Sequence, residues 1–192
     1  MARGVYSESL EPAHAPPPRA PEPPPRPLKH ALDRLVAATG LLVTAPILAA
    51  IALALRLAGP GPVLVRRERL GEGGRVVLVR SFAITDELRR SRVWRVLADT
   101  GVTALPQLWS VLRGQMSLVG PRPRQAELPP PPARPGLTGL AQLAQLERRL
   151  SLPEQLELDD EYARTWSLAL DARILWRTFV VSTRGARAPR RR

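Results

Sequence analysis

The longest uncharged run in the chain lies between Leu35 and Leu55, where most residues are Leu, Ala, Val or Ile. Its length matches the roughly 20 residues needed to cross a bilayer core. Apolar residues cover all its sides rather than one stripe, which favours lipid over the alternative of a buried soluble helix hairpin. Thr44-Ala45-Pro46 falls near the middle, and a proline there removes a helical donor and breaks or kinks the helix. Basic residues flank both ends, Lys29 and Arg34 before and Arg56, Arg66, Arg67 and Arg69 after. The positive-inside rule places both flanks on the cytoplasmic face. The pattern predicts a re-entrant membrane helix over 35–57 that turns at Pro46 and carries one domain on the cytoplasmic side of the inner membrane.

Gly59-Pro-Gly-Pro62 stops that helix. Two branched apolar runs, 63–70 and 75–82, then flank Gly71-Glu-Gly-Gly74, a pattern for a β-hairpin. Residues 83–98 suit a basic amphipathic helix, with Leu88, Val93, Val96 and Leu97 on one face. Such a helix either lies on an anionic membrane surface or presents a solvated face. A further helix is expected from about Thr103 to Gly114, a suitable residue just past a helix end. Leu105, Leu108 and Leu112 share its inner face.

The ends read differently. Residues 1–27 hold Pro16-Pro17-Pro18 and Pro23-Pro24-Pro25, a composition for an extended or disordered tail, serving as a linker or as a Pro-rich ligand. Residues 182–192 form a basic tail. Between them, 28–181 make one domain, helix-rich α/β with a small β-hairpin. The net charge is +12, with Lys29 the only lysine; abundant Ala, Arg, Pro and Gly fits genomic base composition as well as function. The charge suits anionic lipid or phosphorylated substrates, and nucleic-acid binding is not expected because charge alone speaks for it. The chain has no cysteine, which excludes disulfides and thiolate chemistry. Its two histidines, His14 and His30, lie outside the expected core, so a histidine general base is not expected.

Four segments carry a family resemblance. Leu105-Pro-Gln-Leu-Trp-Ser-Val-Leu-Arg-Gly-Gln-Met-Ser-Leu-Val-Gly-Pro-Arg-Pro123 is the most specific. Residues 59–74, Ala133-Arg-Pro-Gly-Leu-Thr-Gly-Leu-Ala-Gln142 and Glu157–Asp171, the last with Tyr162, Trp166 and Asp171 in place, follow the same family order. Together they resemble the bacterial sugar transferases, the polyprenyl-phosphate hexose-1-phosphate transferases, also called monotopic phosphoglycosyl transferases. That resemblance implies a fold with a re-entrant helix. It also implies a reaction that starts lipid-linked glycan or exopolysaccharide biosynthesis: an Asp carboxylate attacks a nucleotide-sugar, releases the nucleoside monophosphate and passes the sugar phosphate to a membrane polyprenyl phosphate. Mg²⁺ is the implied cofactor, since a hard cation offsets diphosphate charge.

The family's Asp-Glu pair precedes Leu-Pro, and here Thr103 and Ala104 stand there. An alcohol needs a base or metal to become a nucleophile, so the expectation is a homologue with impaired or lost catalysis; the alternative is an inactive binding or scaffold protein. Asp99, four residues earlier, is about 6 Å away along a helix, too far to substitute. Gln115 and the 80–84 segment also depart from the family. Retained substrate-side groups are Arg122 and Arg134, suited to phosphate or to ion pairs with carboxylates; Arg80, within the altered segment, is a further candidate for binding phosphate. Asp159 corresponds to an acidic residue near the metal region, with a helix cap as its alternative.

Overall fold

In the computed structural model the described residues are 26–85, 88, 90, 91, 94, 97 and 101–185. Most of the Pro-rich tail, Asp99 and residues 186–192 lie outside them, as does most of 86–100.

Helix α1 spans Pro27–Ala58 without interruption. The turn expected at Pro46 is therefore not seen: Pro46 lies inside one continuous helix. The reason is packing. Lys29, Asp33, Ala37, Ile51 and Leu55 are buried, and Leu41 and Leu48 pack on the two core clusters. These positions recur every three or four residues, so one stripe of α1 follows the domain on both sides of Pro46. A proline inside a helix costs about 3 kcal/mol. Burying Ile51 and Leu55 alone contributes about 1.5–3 kcal/mol each, enough to hold the helix through it. Thr44 also donates its hydroxyl to the Gly40 carbonyl at 2.6 Å.

The rest of α1 faces outward. Leu35, Leu42, Val43, Ile47, Leu53 and Leu57 are all more than half exposed. This is the one helix among the described residues long and apolar enough to cross a membrane by length and composition.

The hairpin forms as expected, β1 (Leu64–Leu70) pairing antiparallel with β2 (Val76–Phe82). Its turn is a short 3-10 segment in which Gly73 and Gly74 take φ of 65° and 77°, conformations that glycine adopts without a Cβ clash. Leu88, Trp94 and Leu97 pack with Ile51, Leu55 and Phe82, so the apolar face expected over 83–98 is turned inward at those positions.

A 3-10 segment, Val102–Gln107, leads into α2 (Leu108–Leu112). The expected single helix is thus two pieces, because Pro106 interrupts regular hydrogen bonding. The end is where expected: Gly114 has φ 74° just past α2. Leu108 is buried, with Leu105 and Leu112 packed beside it.

Two three-residue strands, β3 (Ser117–Val119) and β4 (Gly136–Thr138), pair in parallel. Added Cβ atoms on Gly120, Gly136 or Gly139 would collide with neighbouring backbone. That close approach explains why the two motifs carrying β3 and β4 are glycine-rich. Helices α3 (Leu140–Glu147), α4 (Leu152–Thr165) and α5 (Leu168–Gly185) complete the helix-rich α/β fold. Ser151 and Glu154 form a capping box that fixes the start of α4.

Candidate functional site

The centre of the domain is a buried polar network that ties α1 to the C-terminal helices. Lys29 Nζ lies 2.5 Å from Asp171 Oδ2 and 3.7 Å from Asp33 Oδ2. Ser117 donates to Asp33 Oδ2 at 2.5 Å, and Trp166 Nε1 donates to Asp171 Oδ2 at 3.1 Å. The Tyr162 hydroxyl sits 2.8 Å from Asp171 Oδ1 and 2.9 Å from the Val119 carbonyl, placed to donate to either. Burial and the Asp171 charge hold this phenol neutral, far above its ordinary titration range. Lys29, read from sequence as a flanking cation, is instead an internal one. Sequence reasoning gave no role to Tyr162, Trp166 or Asp171, although their spacing within one motif was visible.

The two arginines matched by resemblance line different clefts. Arg134 lines a cleft of about 630 Å³ at the start of α1, together with Arg26, His30, Glu72, Arg75 and Gln115; its Nε is 3.9 Å from Glu72 Oε2. Arg122 lines another with Arg69, Arg124, Gln155 and Asp159, and its Nη1 donates to Gln155 at 3.1 Å.

Asp159 is buried in that second cleft, at 2% exposure. Its Oδ1 accepts the Arg122 backbone N–H at 3.3 Å, and its Oδ2 faces Arg124 Nη2 at 3.4 Å. Burial pushes this carboxyl up to about 6, against the opposing pull of Arg124. Both oxygens are therefore engaged by donors. No group of three His, Cys, Asp or Glu side chains that could hold a metal ion occurs among the described residues. Mg²⁺ prefers one or two free carboxylates beside substrate phosphates; a carboxyl shared with a buried arginine does not fit it.

The position of the family's acidic pair is elsewhere again. Thr103 and Ala104 are half-buried in the 3-10 segment, with the Ala104 N–H donating to the Gly101 carbonyl at 2.9 Å. The N-cap is Gly101, so Thr103 caps nothing. The segment packs on β2, which carries Arg80; the Arg80 guanidinium donates to Ser110 Oγ at 3.1 Å.

The described residues thus form a small α/β domain packed along one apolar helix, with arginine-lined clefts. The chain belongs to the bacterial sugar transferase family, which it matches over residues 25–185. It is 38% identical to a UDP-glucose:undecaprenyl-phosphate glucose-1-phosphate transferase of Caulobacter vibrioides, over 78% of this chain and 67% of that protein. A protein of the same description in Escherichia coli is 32% identical, over 79% of this chain but 39% of its own length. The exopolysaccharide production protein PSS of Rhizobium leguminosarum bv. phaseoli is 33% identical, over 82% of this chain and 96% of that protein. The chain thus spans well under half of the Escherichia coli relative.

Proposed function

We propose that the chain works at a membrane surface as a sugar transferase homologue handling a nucleotide-sugar and a polyprenyl phosphate, with the transfer step impaired or lost. The substrates are those named for its relatives. The observation that carries the loss is the pair Thr103 and Ala104, at the positions matched to the family's carboxylates: Ala104 has no nucleophilic atom, and the Thr103 hydroxyl is a nucleophile only with an activating base or metal. In this reading Arg122 and Arg134 offer guanidinium forks to phosphate oxygens, and Arg80 lies on the strand beside the altered pair. Because the Asp159 environment does not fit Mg²⁺, no metal step belongs to it. The limiting case is a non-turnover binding or scaffold protein of a polysaccharide assembly system. It is favoured by the pairing of Asp159 with Arg124, which engages the one retained motif carboxylate matched to the metal region.

The membrane arrangement follows from α1. At about 48 Å it exceeds a bilayer core of about 30 Å, yet both its halves pack on the same domain. A helix held this way lies along the domain and sinks its outward face into one leaflet, rather than crossing with the domain left behind. Exposed Arg34, Arg56, Arg66 and Arg67 then meet anionic headgroups of the inner membrane from the cytoplasmic side.

The test is release of nucleoside monophosphate from UDP-glucose by membranes holding the full chain, with polyprenyl phosphate and Mg²⁺ supplied. No release by the wild type supports the reading; release at a rate that survives Thr103→Val overturns it.

A further inference from the structure

The cleft at the start of α1 holds more positive charge than its neighbours neutralise. Arg75 is exposed on its rim with no side-chain partner among the described residues. Arg134 meets Glu72 only at 3.9 Å. Arg26 stacks 4.5 Å above the Trp166 ring and donates Nη2 to the Ala163 carbonyl at 3.0 Å, yet its Nε is buried without a partner. The Nδ1 atom of His30 is likewise buried and unpartnered. Buried polar atoms are seldom left unsatisfied, and each one that is calls for an explanation, a bound water or ion among them. Lys29 is excluded as a free cation, since Asp33 and Asp171 hold it.

We propose that this cleft is a binding site for a phosphate-bearing ligand, gripped by Arg75 and Arg134 and receiving a hydrogen bond from His30 on its inner wall. It rests on the functional reading above only for Arg134; Arg26, His30 and Arg75 belong to no motif that reading uses. The forks of Arg75 and Arg134 match phosphate oxygens, and the cavity is large enough for a diphosphate rather than a single ion. Without ligand, His30 is held below its ordinary range by burial and by Arg134, Lys29 and Arg34, against the pull of Asp33. A bound anion reverses that balance and favours the imidazolium, which has two donors.

The chain carries two histidines, so His14→Gln leaves one imidazole to observe. The experiment follows His30 by side-chain nitrogen NMR in full-length His14→Gln protein in nanodiscs. One arm adds inorganic pyrophosphate and a second uses nanodiscs containing polyprenyl phosphate. The expected result is a saturable shift of the His30 resonances and a higher titration midpoint in at least one arm. The responding arm identifies the source, a soluble diphosphate or a lipid headgroup. Arg75→Gln, at an exposed position, weakens the response about tenfold or more, whereas Arg149→Gln, at an exposed position that lines neither cleft, leaves it intact. A His30 that is silent in both arms overturns the proposal. So does one that responds equally to chloride at matched ionic strength, or one that loses its response in Arg149→Gln. None of these outcomes depends on whether the wild type releases nucleoside monophosphate.

Discussion

Lys29 and Asp171 stand 142 residues apart in sequence and 2.5 Å apart in the fold. Their contact joins the first turn of the apolar helix to the first turn of the last helix. Removing one member of a buried ion pair leaves an uncompensated charge, which costs about 3–5 kcal/mol. Lys29→Met strands two carboxylates, Asp33 and Asp171, so thermal unfolding in detergent should show a loss in that range. The double variant Lys29→Met with Asp171→Leu should recover part of it.

Tyr162→Phe removes only a hydroxyl from the same network. The Val119 carbonyl and Asp171 Oδ1 then share one donor fewer, at a cost of about 1–3 kcal/mol. The same thermal measurement checks it, and a change below 0.5 kcal/mol, about the scatter for a surface substitution, would show that water replaces the phenol.

Asp159 makes stability depend on pH. Its folded value, about 6, lies above its ordinary 3.8, so the folded state holds the proton more tightly than the unfolded chain. The contribution is complete below the ordinary value and is lost as pH rises to about 6. Stability from this group therefore falls between about pH 4 and pH 6 and is flat above. Asp159→Asn should remove that part of the slope in a series of thermal midpoints against pH; an unchanged slope would mean that Arg124 dominates over burial.

In the proposed arrangement the outward face of α1 carries membrane attachment. Leu42 and Leu57 are 77% and 79% exposed, so Leu42→Glu with Leu57→Glu leaves the packed stripe untouched. Each charge costs about 2.5–3.5 kcal/mol at the centre of a bilayer and less near its surface. The variant should shift from the membrane pellet to the soluble fraction, whereas Ala37→Glu, at a fully buried position, should fail by unfolding. Retention of the double variant in the pellet would contradict an α1 that anchors through this face.

What the sequence disclosed follows from how local each signal was. The hairpin and the end of α2 were legible because glycines at 71–74 and 114 mark turns within a few residues of the strands and helix they bound. The pairing of β3 with β4 was not, since three-residue strands show no period and their partner lies across a proline-rich loop. Pro46 misled because local chemistry predicts a break, while the packing of Leu41, Leu48 and Ile51 is a tertiary effect. Lys29 misled in the same way: a cation next to an apolar run looks like a flank until Asp171 is brought to it. The arginines were legible as residue types, but nothing local told that Arg122 and Arg134 would face different clefts.

In the proposed reading the altered pair, Thr103 and Ala104, is what removes turnover. Both side chains are half-buried at the start of a 3-10 segment, near the positive end of its dipole, so Thr103→Asp with Ala104→Glu should change stability by within about 1 kcal/mol. The direct measurement is nucleoside monophosphate release from UDP-glucose by wild type and double variant in the same membranes, with polyprenyl phosphate and Mg²⁺ present. The account predicts none above background from the wild type and makes the restored pair necessary for any turnover, with Gln115 and the 80–84 segment still limiting its rate. A wild type that releases nucleoside monophosphate as fast as the double variant would contradict it.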